Sequence, residues 1–296
     1  MELHQLRYFV AVAETGGFVR AAQRCNVAQP SLSQQIIKLE QELGQPLFER
    51  VGRSVRLTAA GEALLPRARR ILLEVQDARA QIVGEVEAGK GRLTVGVIPT
   101  VAPYLLPDAV RSFQQSYSEA HVTVLERLTE RLIAGLVALE IDVCVLSLPI
   151  DNPQIATTVL CEEALVVALP HGHPLSTRAA VAVEELRGAP FIALDDEQCF
   201  GQQVSAFCYE RQVSPAVVCR VTQLSTMLRG VTAGMGVALV PQTLAATEAG
   251  ACVYRPIAEA APSRTIVAAW HAGRRPSQLA LHMIQHLREH LAQLCR

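Results

Sequence analysis

No apolar run in this chain approaches the ~20 residues that a membrane span needs. Its start, Met1-Glu2-Leu3-His4-Gln5, has no basic segment leading into an apolar stretch, so no signal peptide is read there and the expected address is the cytoplasm. An excess of either charge is also missing: 27 Lys and Arg stand against 28 Asp and Glu. The chain is no general polycation, and any nucleic-acid contact must come from local clusters. The cysteines, at positions 25, 144, 161, 199, 208, 219, 252 and 295, contain no CxxC pair, which argues against a structural zinc site. In a reducing compartment most of them are expected to be buried thiols acting as small hydrophobes. Gly234 and Gly236 lack the third glycine of a dinucleotide fingerprint, so no nucleotide and no other cofactor is inferred.

What is present favours two domains. With 296 residues, 50% of them hydrophobic, the chain buries substantial cores, and its length exceeds that of a single small domain. The most informative stretch runs from Phe18 to Glu49. Leu32, Ile36, Leu39 and Leu43 recur at helical spacing and define a core face. Ser31, Ser33, Gln34, Gln35 and Lys38 occupy the other side, and their hydroxyls, amides and cation are groups that bond base edges and phosphates in a major groove. Gln29-Pro30 opens this helix, since proline in a first turn loses only an amide hydrogen without a partner. Upstream, Leu3, Leu6, Val10 and Ala13 give another apolar stripe, Thr15-Gly16-Gly17 breaks it, and Phe18 to Arg24 is a short helix before a turn at Cys25-Asn26. Downstream, the alternation from Pro46 to Thr58 reads as a hairpin with Gly52 in its turn and Arg50, Arg53 and Arg56 along it. The arrangement is that of a winged helix-turn-helix.

These residues resemble the DNA-binding domain of LysR-type transcriptional regulators. The resemblance is carried by Leu6-Arg7-Tyr8-Phe9, Ala21-Ala22, Gln29-Pro30-Ser31-Leu32-Ser33, Leu39-Glu40, Leu43-Gly44, Leu47-Phe48-Glu49-Arg50 and Leu57-Thr58-Ala59-Ala60-Gly61. Ala28 departs from the pattern, standing where the family has a capping Ser; the loss costs about 1 kcal/mol of helix stability. The resemblance implies DNA contacts from Gln29, Pro30, Ser31, Ser33, Gln34, Lys38, Arg50, Arg53 and Arg56.

Thr58 is suited to cap a further helix, in which Leu64, Ala68, Ile71, Val75, Ala78 and Ile82 form a seam for a partner helix. Packing against the chain's own domain is the plainer alternative. Pro66 marks a kink or a late start, and Arg67, Arg69 and Arg70 rest near phosphates or stay solvated. Gly89-Lys90-Gly91 reads as a hinge. Beyond it, strands and helices alternate: 93–98, helix 103–116, 121–125, helix 129–140 and 141–146, then 164–169, 191–194, helix 200–210, 217–221, helix 224–233, 237–240, 265–269 and a final helix 278–295. This order predicts an α/β domain with a parallel sheet covered on both faces. The domain resembles the LysR effector domain, a two-subdomain, periplasmic-binding-protein-like α/β fold with its ligand in the cleft. The expected layout is a winged helix-turn-helix over 1–58, a linker and dimerisation helix over 59–88 and a regulatory domain over 91–296.

Cys199 and Cys208 are nine residues apart. On one straight helix their thiols lie roughly 13 Å apart along the axis and on opposite sides. A disulfide requires Cα atoms within about 7 Å, so oxidation of this pair would force the segment to refold. Two buried structural thiols are the more ordinary reading of the pair alone. The flanks Ile98 to Pro107 and Ala233 to Pro241, together with the Cys199/Cys208 spacing, are similar to the OxyR-type peroxide sensors within the family. That resemblance implies that Cys199 is oxidised first, that Cys208 resolves it to a disulfide, and that Thr100 and Thr129 hold peroxide. Gln198 and Gly201 depart from it, replacing a His and a cation; Arg264 is a candidate source of the charge that a reactive thiol needs.

His282, His286 and His290 recur every four residues, but Leu281, Ile284, Leu287, Leu291 and Leu294 define that helix's buried stripe, so a solvated row is expected rather than a metal site. His171 and His173 fall in a turn. The leading expectation is a redox-responsive DNA-binding regulator and not an enzyme. A second expectation is a regulator whose cleft takes a small organic effector on Thr100, Thr129 and Ser225. A third is a thiol hydrolase or peroxidase using Cys199, which lacks a nearby His-Asp arrangement in sequence. The resemblance implies as partners a pseudo-palindromic duplex operator, a second copy of the chain through the linker helix with further assembly to a tetramer, and RNA polymerase.

Overall fold

The computed structural model describes residues 1–51, 54–83, 91–258 and 262–294, with side chains except at 50, 51, 54, 76, 77 and 79–83. Two compact units are present, Met1–Val86 and Glu87–Arg296.

The first unit contains α1 (Leu3–Thr15), α2 (Phe18–Cys25), α3 (Gln29–Leu43), β1 (Phe48–Val51), β2 (Ser54–Leu57) and α4 (Ala59–Val83). Residues that tolerate the left-handed region end the first three helices: Gly16 at φ 65°, Asn26 at 56° and Gly44 at 68°. β1 and β2 pair antiparallel as the wing. The core joins Leu6, Phe9 and Val12 of α1 to Ala21, Ala22, Leu32, Ile36, Leu39, Leu47 and Ala68. Two expected stripes shift. α1 buries Leu6, Phe9 and Val12 while Leu3 is exposed, because α2, α3 and α4 all pack on it and widen its buried arc. Leu43 is also exposed, in the last turn of α3.

Glu40 of α3 ties the wing to the helix: its Oε1 accepts from the backbone N–H of Leu47 at 2.7 Å and of Phe48 at 3.3 Å. Thr58 caps α4, accepting from Gly61 N–H at 3.1 Å and donating to the Pro46 carbonyl at 2.6 Å. Gly61 is required by space, since a Cβ there would stand 2.2 Å from the Leu47 carbonyl oxygen. α4 begins at Ala59, so Pro66 lies inside the helix and marks no late start. Ala68 belongs to the unit's own core, with Leu64 and Ile71 packed against it. The first half of the expected partner seam is therefore covered from within, and Ala78 is exposed. Ile82's side chain and most of the Gly89-Lys90-Gly91 hinge lie outside the described residues.

The second unit runs β3 (Gly91–Val97), α5 (Ala102–Ser116), β4 (Ala120–Glu126), α6 (Thr129–Val137), β5 (Val143–Ser147), β6 (Ile155–Leu169), β7 (Pro190–Leu194), α7 (Cys199–Glu210), β8 (Ala216–Val221), α8 (Leu224–Thr232), β9 (Ala238–Pro241), α9 (Gln242–Thr247), β10 (Val253–Pro256), β11 (Ser263–His271) and α10 (Gln278–Leu294). The main sheet has the order β10-β6-β11-β5-β3-β4, with β9 also on β6, while β7 and β8 form a parallel pair. It is mixed, not wholly parallel. β3 pairs parallel with β4 and β5, but β11 runs antiparallel to β5 and β6. The reason is the 15-residue β6, whose first part pairs with β11 and whose last part pairs with β9 and β10. One long strand thus passes through both halves.

The histidine row of α10 is packed, not solvated. His282 stacks on Tyr117 with centroids 5.2 Å apart, His286 meets the Phe113 edge, and Ser112 Oγ lies 2.8 Å from His286 Nε2. The buried stripe is Leu279, Ala280, Met283, Ile284, Leu287 and Leu291, which leaves Leu281 at the surface and turns the histidines toward α5. Among the described residues no group of three or more His, Cys, Asp or Glu is arranged to hold a metal, and no helix is long and apolar enough to cross a membrane.

Replacing Glu40 with Ala leaves two backbone donors unanswered, an expected loss of about 1–3 kcal/mol in urea unfolding. Unchanged stability would show the wing to be held by other contacts. Burial and the neighbouring His290 pull the His286 pKa below its ordinary value. The folded state therefore takes up this proton less readily than the unfolded chain, and stability is lost as pH falls through the ordinary imidazole value of about 6.5. The melting temperature of His286→Gln is expected to fall less steeply than that of the parent chain between about pH 7 and pH 5. Parallel curves would contradict this.

Candidate nucleic-acid interface and redox site

On α3 the side chains of Gln29, Pro30, Ser31, Gln34 and Lys38 are exposed and Ser33 is half-buried, opposite the buried Leu32, Ile36 and Leu39. Gln29 Nε2 donates to Ser33 Oγ at 2.7 Å, which fixes one polar pair at the helix start. Gln35 is set apart from the groove-facing group, because Gln5, itself buried, donates to its Oε1 at 3.2 Å. Arg56 is exposed on β2. Arg53 and the Arg50 side chain lie outside the described residues. Arg69 reaches Glu14 at 3.2 Å, and Arg67 donates to the Ala63 carbonyl at 2.6 Å. A helix with one buried face and one outward row of amides, hydroxyls and a cation can enter a major groove. Sequence reasoning passed over Ile37, which stands exposed on that outward row.

Cys199 is the first residue of α7, directly after the turn that leaves β7. A narrow, closely packed recess is lined by Ile98, Pro99, Thr100, Leu128, Thr129, Gln198 and Cys199. Thr129 Oγ1 and Gln198 Oε1 are both buried there without a hydrogen-bond partner in the protein. Gln198 Nε2 is held by the Thr222 carbonyl at 2.5 Å. Ser225 lies elsewhere: it lines a larger cleft of about 290 Å³ with Thr100, Gln198, Glu126 and Glu248.

Arg264, on β11, has a fully buried side chain and bonds Thr100, which lines this recess. Its Nε donates to Glu163 Oε2 at 2.6 Å, one terminal nitrogen donates to Thr100 Oγ1 at 2.9 Å, and the other reaches the Thr100 carbonyl at 3.1 Å and Tyr104 Oη at 2.8 Å. Its carbon lies 5.0 Å over the Phe200 ring. Burial alone works against that charge, yet Tyr104, Glu163 and Cys199 favour it strongly enough to raise the Arg264 pKa. Glu163 also accepts from Thr243 Oγ1 in a short bond. The sequence offered one signal for this network: a glutamate pair, Glu162-Glu163, set against the apolar run that ends β6.

Both cysteines sit on the single helix α7, as free thiols. Cys208 is buried, and burial pushes its pKa up. The more open Cys199 is therefore the better placed nucleophile of the two. α7 is bound to its surroundings through Gln203, whose Nε2 donates to Ser147 Oγ at 2.9 Å and the Leu148 carbonyl at 2.6 Å, and through Ser205, which donates to Asp196 at 3.0 Å. Gly201 admits no side chain: a Cβ would lie 2.4 Å from the Asp195 carbonyl oxygen.

Comparison with known proteins agrees with both regions. Residues 3–62 match the bacterial regulatory helix-turn-helix protein, lysR family, and residues 87–292 match the LysR substrate binding domain. The chain is 34% identical to a hydrogen peroxide-inducible genes activator of Dickeya chrysanthemi, over 99% of this chain and 98% of that protein. It is 35% identical to the DNA-binding transcriptional dual regulator OxyR of Escherichia coli K12, over 92% and 90%. A full-length OxyR variant from Pseudomonas aeruginosa superposes with a TM-score of 0.80 at 30% identity, covering 100% of this chain and 95% of that one. The family and these relatives are regulators of transcription, not enzymes. Matched over both its helix-turn-helix and its effector domain, the chain belongs to the LysR family of bacterial transcriptional regulators.

Proposed function

We propose that this regulator senses hydrogen peroxide through Cys199 and Cys208 and reports the oxidation to DNA. The observation that carries the reading is the recess beside Cys199, where Thr129 Oγ1 and Gln198 Oε1 are buried and unpartnered. Buried polar groups without partners are costly, and peroxide, with two donors and four lone pairs, would satisfy both once the closely packed recess opens to admit it. The Cys199 thiolate attacks one peroxide oxygen; the O–O bond breaks, hydroxide leaves and takes a proton to become water, and Cys199 becomes a sulfenic acid. Cys208 sulfur then displaces that oxygen as a second water, forming the S–S bond. Nine residues of helix separate the two thiols by roughly 13 Å of axial rise, so α7 unwinds before the bond closes. Phe200 then leaves Arg264, and Gln203 leaves Ser147 and Leu148.

In this reading 1–58 binds a two-fold related duplex site, 59–88 pairs with a second copy, and 91–296 changes the spacing of the two readers. Assembly to a tetramer, a cytoplasmic location and contact with RNA polymerase complete the scheme. A second reading has one observation in its favour. The cleft, with room of about 290 Å³, is far larger than peroxide requires, since a water occupies only about 30 Å³, and it suits a small organic effector on Thr100 and Ser225.

A brief peroxide pulse followed by non-reducing peptide mapping decides between them. The expected products are a Cys199–Cys208 cross-link in the parent chain and a dimedone-reactive Cys199 in Cys208→Ser. If the cross-link is absent, while a metabolite titration shortens the DNA footprint, the effector reading takes its place. Thr129→Val is expected to slow oxidation of Cys199 by peroxide about tenfold, the value of one good hydrogen bond, without changing its rate with iodoacetamide. An equal loss with both reagents would assign Thr129 to packing rather than to peroxide.

A further inference from the structure

The core of the first unit is complete without Ile37. Leu32, Ile36 and Leu39 of α3 are no more than 1% exposed, whereas Ile37 is 51% exposed. At 100° per residue it lies on the outward row, 60° from Gln34 and only 20° from Pro30 when viewed down the axis. Residues three and four apart on a helix are neighbours at about 5–6 Å, so Ile37 stands between Ser33 and Gln34 one turn before it and Glu40 and Gln41 one turn after it. A β-branched residue is a poorer helix former than the amides and lysine around it, and this one gains nothing from the fold by being there.

Its neighbours identify the occupant. Ser33, Gln34 and Gln41 flank Ile37 with hydroxyl and amide groups suited to bases and phosphates, and the outward row is polar apart from Pro30 and this one side chain. The only apolar group that a base pair presents in the major groove is the 5-methyl of thymine. We infer that Ile37 reads a thymine by packing its side chain against that methyl group, so that it selects T·A at one position of each half-site. The inference rests on the DNA-binding role of the family and is independent of peroxide sensing.

The test removes the methyl and nothing else. Duplexes bound by the full-length chain are selected from a random pool, and each thymine of the selected half-site is replaced in turn by deoxyuridine. At one symmetry-related pair of thymines the replacement is expected to weaken binding about three- to tenfold per half-site. Ile37→Ala, which favours the helix and leaves the core intact, is expected to bind the thymine duplex more weakly and to show no further loss with deoxyuridine there. Ile37→Val should retain part of the penalty. Indifference of the parent chain to every replacement overturns the inference, as does an unchanged deoxyuridine penalty in Ile37→Ala. Loss of self-association by Ile37→Ala, with DNA affinity per assembled particle unaltered, overturns it in favour of a contact between copies of the chain.

Discussion

The geometry of the effector unit turns on the buried guanidinium of Arg264. A charge removed from water costs several kcal/mol unless it is paired and its hydrogens are used. Here β6 supplies the Glu163 carboxylate, and the segment between β3 and α5 supplies Thr100, with Tyr104 from the first turn of α5. Phe200, from the first turn of α7, supplies its ring face. Three segments distant in sequence are thereby held to one planar group, and removing Glu163 or Thr100 leaves donors unanswered. The same group lies close enough to Cys199 for their charges to interact, so the feature that fixes the fold also sets the field around the reactive sulfur.

That arrangement makes α7 a conditional helix. Its start is anchored by Phe200 over Arg264 and by Gly201 pressed against the Leu194 and Asp195 carbonyls, and its middle by Gln203 and Ser205. Phe200, Val204 and Cys208 are also buried in the unit's core, so a bond between Cys199 and Cys208 would have to draw apolar side chains from that core as well as break these hydrogen bonds, each contributing on the order of 1 kcal/mol. Placing the thiols on opposite sides of the helix prevents the reduced form from closing the bond by thermal fraying of one end alone.

Much of this was legible in the sequence, and the reasons for the gaps are physical. Helical spacing marked α3 and its buried face, because that face meets one layer of core and nothing else. The stripe of α1 was misjudged because three helices cover it, which makes periodicity a poor guide to which side is buried. The alternation of strands and helices gave nearly every element of the second unit, but not the mixed sheet: strand direction depends on partners far away, and the pairings of β11 with β5 and β6 and of β6 with β9 and β10 are all antiparallel. Thr100 and Thr129 appear together because the strands before them end on the same edge of the sheet. Glu163 escaped attention, since a glutamate beside an apolar run reads as a strand end until a buried arginine is found opposite it. The histidines of α10 looked like surface residues for the same reason; the face they pack on belongs to α5, which no local pattern identifies.

The two departures from the OxyR-like pattern acquire a common explanation. A side chain at position 201 would collide with the Leu194 and Asp195 carbonyls, and a charge that does interact with Cys199 is that of Arg264, on another strand. At position 198 an amide stands in place of an imidazole. Its Nε2 is committed to the Thr222 carbonyl, which leaves an oxygen acceptor that does not titrate at any pH where the protein is folded. An imidazole changes from acceptor to donor near neutrality; Gln198 does not. The site beside Cys199 thus has next to it a buried arginine that never releases its proton and an amide acceptor that never gains one.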